Sequence, residues 1–452
     1  MAQQRLALPR LSLRAATGQM TTATNTYQVS DLSVNLQPDR SVRVQGTGGN
    51  MRSARDPKVG LDFVTDDGWT VSAPDCFITS FSTNVEHSVQ TIAWTVQAKE
   101  LTASRGIIEN ADMVTLYKVI TSFAFQGDSL EETAAKVTLP HALTVLRPLV
   151  QRVYDRFQDE RLPLSRRALT TGQRALIYVP GIGVRGDSQR HRVMFKTPAL
   201  RLLTLVKDEV DGVPDATGYF VLRDTLATVD TTWDETFNHL YWLLSLAASH
   251  LIGFPVTYVE GPRGSRIQMH GAQRELIGGS QSLIPIRWPY AVSRFLDSTF
   301  DQYVSLHSRI DLKKLIEYYI AMQGTGTIEI QYLLGSVFME GLKYSYAHTY
   351  KNYERAKDGR FKQTDGSRYT FAVLMAEIYK EFGITQGPLD FVGYRDEVVH
   401  EGRFTSPFPL MREKTTQLKE VIEHLLLRML HYDGEYYDRK TRRLVEFKSL
   451  TT

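Results

Sequence analysis

At Pro289 the spacing of apolar residues changes period, and this switch constrains the fold more than any other feature of the chain. Before it, short runs rich in β-branched and aromatic residues are separated by turn residues, the pattern of strands. SVRVQG, LDFVTDDGWTVSA, FITSFSTNV and TIAWTVQAKEL are such runs, from Tyr27 to about Lys99, and Asp67-Gly68 marks a tight hairpin between two strands. Val114 to Phe125 continues the series. After Pro289, Ile328, Tyr332, Leu333, Val337 and Leu342 recur at three and four, as do Leu418, Val421, Ile422, Leu425, Leu426 and Met429. That is the spacing of amphipathic helices.

The switch predicts an α+β chain, a β-rich N-terminal domain followed by an all-α bundle. Residues 25–288 form the first domain, 289–432 the second, and 433–452 a basic tail hairpin around Arg439, Lys440, Arg442 and Arg443. Within the first, residues 128–157 read as helix broken by Pro140 and Pro148. Strands are expected at 175–179, 191–195, 200–206, 218–229, 255–259 and 283–288, and a helix at 233–252. In the second, helices are expected at 290–306, 311–322, 327–350, 370–382, 388–401 and 409–431. Residues 1–24, with Arg5, Arg10 and Arg14 and no acid before Asp31, read as a disordered arm; a transit peptide has a similar look.

At 452 residues the chain exceeds one ordinary core, and 42% hydrophobic with 23% charged residues is globular usage. The longest apolar window, Leu240 to Ile252, is broken by Ser245, Ser249 and His250, so no membrane partner is expected. Cys76 is the single cysteine, which excludes an internal disulfide framework and points to the cytoplasm. A net charge of +3 says little about nucleic acid.

Chemistry concentrates in PLDFVGYRDEVVHEGR, residues 388–403. Pro388 suits a first helical turn and Gly402 a C-terminal stop, so Arg395 and His400 share one short helix. Arginine and histidine with four to six residues between them also occur at Arg185–His191 and Arg263–His270, but there in glycine-rich loops. An arginine that stays charged and an imidazole titrating near pH 6.5 suit phosphodiester cleavage. His400 serves as base or acid, Arg395 holds phosphate oxygens, and Asp396 orients either of them. Five residues advance a helix by roughly 500°, setting the two side chains about 140° apart, so a second copy across a two-fold axis would complete the site.

YRDEVVHEG resembles the Arg-polar-x-x-x-His helix of the HEPN superfamily, the higher eukaryote and prokaryote nucleotide-binding helical domains. IEIQYLLGSVFMEGLKYSYAH resembles the family's long helix, with Glu340 where members carry a buried acid of structural role. The architecture is similar to ApeA-type abortive-infection proteins of phage defence. The resemblance implies a metal-independent RNA endonuclease acting as a homodimer, without cofactor, with an N-terminal domain that senses a phage or host trigger. It equally allows a catalytically silent dimerisation or nucleotide-binding module.

A second stretch suggests RNA contact. Lys351, Arg355, Lys357, Arg360, Lys362 and Arg368 alternate with Tyr344, Tyr346, Tyr350, Tyr353, Phe361 and Tyr369. Cations with stacking rings bind single strands, while inward-packed rings would leave only a charged loop. Gly181-Ile182-Gly183-Val184-Arg185-Gly186 fits a dinucleotide fingerprint but precedes a strand-like segment, so it reads as a hairpin loop. His141, His239 and His250 read as packed or surface residues, and no metal is expected.

Overall fold

Alternation in the first half becomes antiparallel strands: β1 (Leu13–Thr21), β2 (Thr26–Leu36), β3 (Val42–Gly48), β4 (Lys58–Val64), β5 (Thr70–Glu86) and β6 (Val89–Ala98). The computed structural model describes residues 13–23, 25–37, 41–48, 58–86, 89–121, 192–206, 216–270, 281–286, 289–324, 327–363, 365–384, 391–401, 404, 406–441 and 443–448. The six strands run β4-β1-β2-β3-β6-β5, and β5 returns to β4, which closes a barrel. The period-two pattern explains the closure: along β3 and β4 buried and open positions alternate, so one face of each strand fills the interior. Leu32, Val34, Val44, Leu61, Val71, Trp94 and Val96 meet there. Gly46 stands opposite Trp94, and a Cβ at Gly46 would lie 2.5 Å from the indole ring, so only glycine admits the tryptophan. Asp67-Gly68 makes the β4–β5 turn, with Gly68 at φ +84°.

At Lys99 the sheet forks. β6 and β7 (Glu100–Gly106) follow each other along the same side of β5, pairing Cys76 with Ala98 and Ser72 with Thr102. β6 then takes β3 as its other neighbour, whereas β7 takes β13 (Gly264–His270). The sheet runs on through β12 (Gly253–Glu260), β8 (Met113–Thr121), β11 (Ala216–Thr225), β10 (Thr204–Val206) and β9 (Arg192–Met194). Helix α1 (Asp234–Ala248), entered through a turn at Leu226–Thr228 and a π-turn at Val229–Trp233, covers this extension. Its Phe237 packs on Phe220 and Phe254, with ring centres 5.9 and 6.1 Å away. Ser249 ends it in the left-handed region, φ 57°.

Beyond Pro289 the chain is helical as its period predicts: α2 (Pro289–Ile310), α3 (Leu312–Gly324), α4 (Ile328–Ser345), α5 (Phe371–Glu381), α6 (Phe391–Glu401) and α7 (Phe408–Met429). The stripe of α7 is buried as read, from Leu418 to Met429. That of α4 is turned: Tyr332, Gly335, Ser336, Phe338, Met339 and Leu342 are buried, while Ile328, Leu333 and Val337 are half-buried. Gly335 decides this, because α3 and α7 close on it; a Cβ there would lie 2.8 Å from both Met322 and Leu418. The tail folds as a hairpin, β14 (Gly434–Asp438) with β15 (Arg443–Phe447).

The protein is thus α+β, with a β-rich N-terminal half and a helical C-terminal half. Local expectations change: of 200–206 only Thr204–Val206 is strand, 218–229 is strand only to Thr225, and the 327–350 helix ends at Ser345 before a π-turn. Leu13–Thr21, expected in an arm, is a strand held between β2 and β4, with Met20 fully buried. Gly264–His270, read as loop, is strand β13, because the turn closes ahead of it, Gly261 N–H donating to the carbonyl of Gly264, the strand's first residue. Leu283 to Ile286 is no strand; the Leu283 and Ile284 amides cap α1 through the Ala247 carbonyl. The helix expected at 128–157, the strand at 175–179, the Gly181–Gly186 loop and His141 lie outside the described residues. Among the described residues no helix is long and apolar enough to cross a membrane.

Candidate functional site around Arg395

Arg395 and His400 both lie on α6, so the two positions share one continuous helix. The helix is described from Phe391; Pro388 and Gly402, expected as its ends, lie outside the described residues, as does the side chain of His400. Arg395 is half-buried against α4. Its Nη1 donates to Glu340 Oε1 at 2.6 Å, and its Nε and Nη2 donate to Asp396 Oδ1 at 3.0 and 2.8 Å. Glu340 therefore acts on Arg395 directly, and Asp396 clamps the guanidinium from its own helix. The second oxygen of Glu340 pairs with Lys343 one turn on. Burial works against the arginine's charge, but the bond and field of Asp396, with those of Glu340, more than offset it and raise the pKa. The arrangement fixes the guanidinium plane as a rigid, always-charged group.

The basic stretch between α4 and α5 folds into two small turns, at Gly359 and Gly366, with φ of +84° and +85°. Its rings turn mostly inward. Tyr346 and Phe361 are buried, and Tyr353 stacks on Tyr369 at 4.9 Å. Tyr346 and Tyr353 both donate to Glu377 of α5. Tyr344 keeps an open face, with the Arg355 guanidinium 5.9 Å above it. Lys351 pairs with Glu381 at 2.9 Å, Arg368 with Asp358 at 3.3 Å, and Lys362 with Glu354. Arg355 Nε donates to the Gly359 carbonyl at 2.9 Å. Among the described residues Lys357 and Arg360 make no salt bridge.

No known protein family matches the chain, and neither does any curated protein. Among solved structures, Hcp1 from Flavobacterium johnsoniae is 11% identical, matching 19% of this chain and 94% of its own at a TM-score of 0.14. At that score the likeness carries no argument.

Two polar clusters were not legible in the sequence. Glu423 of α7 is fully buried, and its Oε1 accepts from Tyr319 of α3 at 2.8 Å and from Arg439 of the tail at 2.6 Å. Ser249, just past α1, is 2.8 Å from the same tyrosine hydroxyl, and Arg439 Nη2 reaches Gln323 at 3.0 Å. Burial and the Glu423 charge hold the Tyr319 hydroxyl far above its ordinary pKa. Arg439, expected in the basic tail hairpin, lies there with its side chain mostly buried and paired with Glu423. The second cluster is Glu235, His239 and His307, on α1 and α2. Burial, then the neighbouring His307, lowers the pKa of His239. Glu235 and His239 share a helix face one turn apart, but only spatial proximity brings His307 to them or Arg439 to Glu423, so periodicity could not reveal either group.

Proposed function

We propose that the chain is a metal-independent RNA endonuclease of the HEPN type, working in the cytoplasm as an anti-phage or toxin effector. In this reading RNA supplies the nucleophilic 2′-hydroxyl, His400 exchanges the protons, and Arg395 stabilises the crowded phosphate oxygens. A homodimer through the helical half brings a second α6 to complete the site, and the β-rich half holds the trigger-sensing role. The observation that carries the reading is the clamp on Arg395, because an arginine locked between Glu340 and Asp396 is preorganised to receive an anion.

A second reading has its own support. All three nitrogens of that guanidinium already face carboxylates, as a purely structural ion pair would have them. The helical half would then be a silent dimerisation or nucleotide-binding module. Wild type, Arg395→Ala and His400→Ala, incubated with total RNA and EDTA at a temperature well below unfolding, separate the two. Cleavage by wild type alone supports the nuclease; equal behaviour of all three supports the silent module.

A further inference from the structure

We infer that Glu235, His239 and His307 form a binding site for one divalent transition-metal ion, with zinc as the best-fitting class. Glu235 and His239 are one helical turn apart on α1, so their side chains share a face. His307 comes from the last turns of α2, which packs beside α1. One donor atom from each lies within 4.8 Å of the other two. Ligands at zinc distances of roughly 2.0–2.2 Å in a tetrahedron stand about 3.4 Å apart, so the donors, already within 4.8 Å of one another, need only draw in to close the set.

The imidazole chemistry supplies an independent argument. His307 Nδ1 lies 2.8 Å from the Val304 carbonyl, which can only accept, so Nδ1 carries the proton and Nε2 is left with its lone pair. That backbone bond on the far nitrogen is how metal-ligating histidines are held in tautomer and orientation. The His239 ring is buried 4.7 Å from that of His307, boxed edge-on by Phe300 and Tyr303. Among the described residues its nitrogens make no hydrogen bond, which leaves them free to take a ligand. Two imidazoles and a carboxylate are borderline donors that suit zinc more than calcium or magnesium. With three protein donors, a fourth position would be left for water.

The site would pin the helix covering the sheet to the first helix beyond Pro289. It lies outside the Arg395 region, so it stands or falls apart from the proposed nuclease activity. The test uses untagged full-length protein stripped with EDTA and dialysed, then titrated with zinc chloride and, separately, cobalt(II) chloride. Expected are one zinc per chain by mass spectrometry of the metal, a rise in melting temperature, and visible absorption bands of low-symmetry cobalt(II). Glu235→Gln, which changes an exposed residue and preserves the fold, should weaken zinc binding about tenfold or more. His307→Ala should abolish the cobalt bands, while His348→Ala, at an exposed histidine elsewhere, should bind as wild type does. Wild type without stoichiometric zinc, or Glu235→Gln and His307→Ala binding as wild type, overturns the inference.

Discussion

Glu340 and Arg395, fifty-five positions apart, are bonded at 2.6 Å, so the rotamer of an arginine on α6 is set by a carboxylate on α4. Both side chains are partly open to water, Glu340 34% and Arg395 27%, which screens the pair. A double-mutant cycle with Glu340→Gln and Arg395→Gln, read by urea unfolding, should give a coupling of about 1 kcal/mol. Strict additivity would mean that the contact does not hold Arg395 in solution.

Two glycines on α4 should respond in opposite directions to the same substitution. Gly335→Ala meets Met322 and Leu418 at 2.8 Å and should destabilise by about 1–3 kcal/mol. Gly341→Ala meets Leu315 at an ordinary 3.5 Å and should stabilise by roughly 0.5–1 kcal/mol through helix propensity. Urea midpoints of the two variants that move in the same direction would refute the packing of α3 and α7 on Gly335.

Lys118 of β8 is buried beneath the rings of Phe237 and Phe254, 5.5 and 5.8 Å from their centres. Burial pulls its pKa from 10.5 to about 8, against the opposing pull of Asp234 and Glu100. Between those pH values the unfolded chain binds the extra proton, so stability should climb as pH rises from about 8 to about 10.5. Lys118→Met should be more stable than wild type at pH 7 by about 3 kcal/mol and should lose that slope. Parallel pH profiles of unfolding would show that the lysine stays charged in the fold.

Removing the charge of Glu423 strands Arg439, whose guanidinium is mostly buried. Glu423→Gln should cost about 3–5 kcal/mol. Glu423→Leu paired with Arg439→Met should recover most of that loss, because a buried pair replaced by apolar side chains is close to neutral. Denaturant melts of the single and double variants give the comparison; a double variant as weak as the single one would assign the loss to packing rather than charge.

The two periods in the sequence were enough for the β-rich and helical halves, since alternation and three-four spacing are local properties. The tail hairpin was legible for the same reason. The turned stripe on α4 was not, because Gly335 is apolar only in the sense that it yields space, and hydropathy cannot weigh a close approach. Strand β7 was hidden by its continuity with β6. The site reading pointed at Arg395, His400 and Asp396, with Glu340 as a structural acid; Arg395 meets Asp396 and Glu340, while the His400 side chain lies outside the described residues. What the reading missed was partnership at a distance: Arg439 with Glu423, and His239 with His307, whose separations in sequence carry no period.

The fork at Lys99 has a practical consequence for dissecting the protein. A fragment ending at Ala98 would keep the barrel's pairs but strip Thr70, Val71 and Ser72 of their β7 partners. A fragment starting after it would leave β7 with an uncovered side where β5 had been. Each piece would carry an unsatisfied strand edge, the kind that recruits another copy and precipitates. Fragments cut at this residue should therefore be sticky alone and soluble when co-expressed.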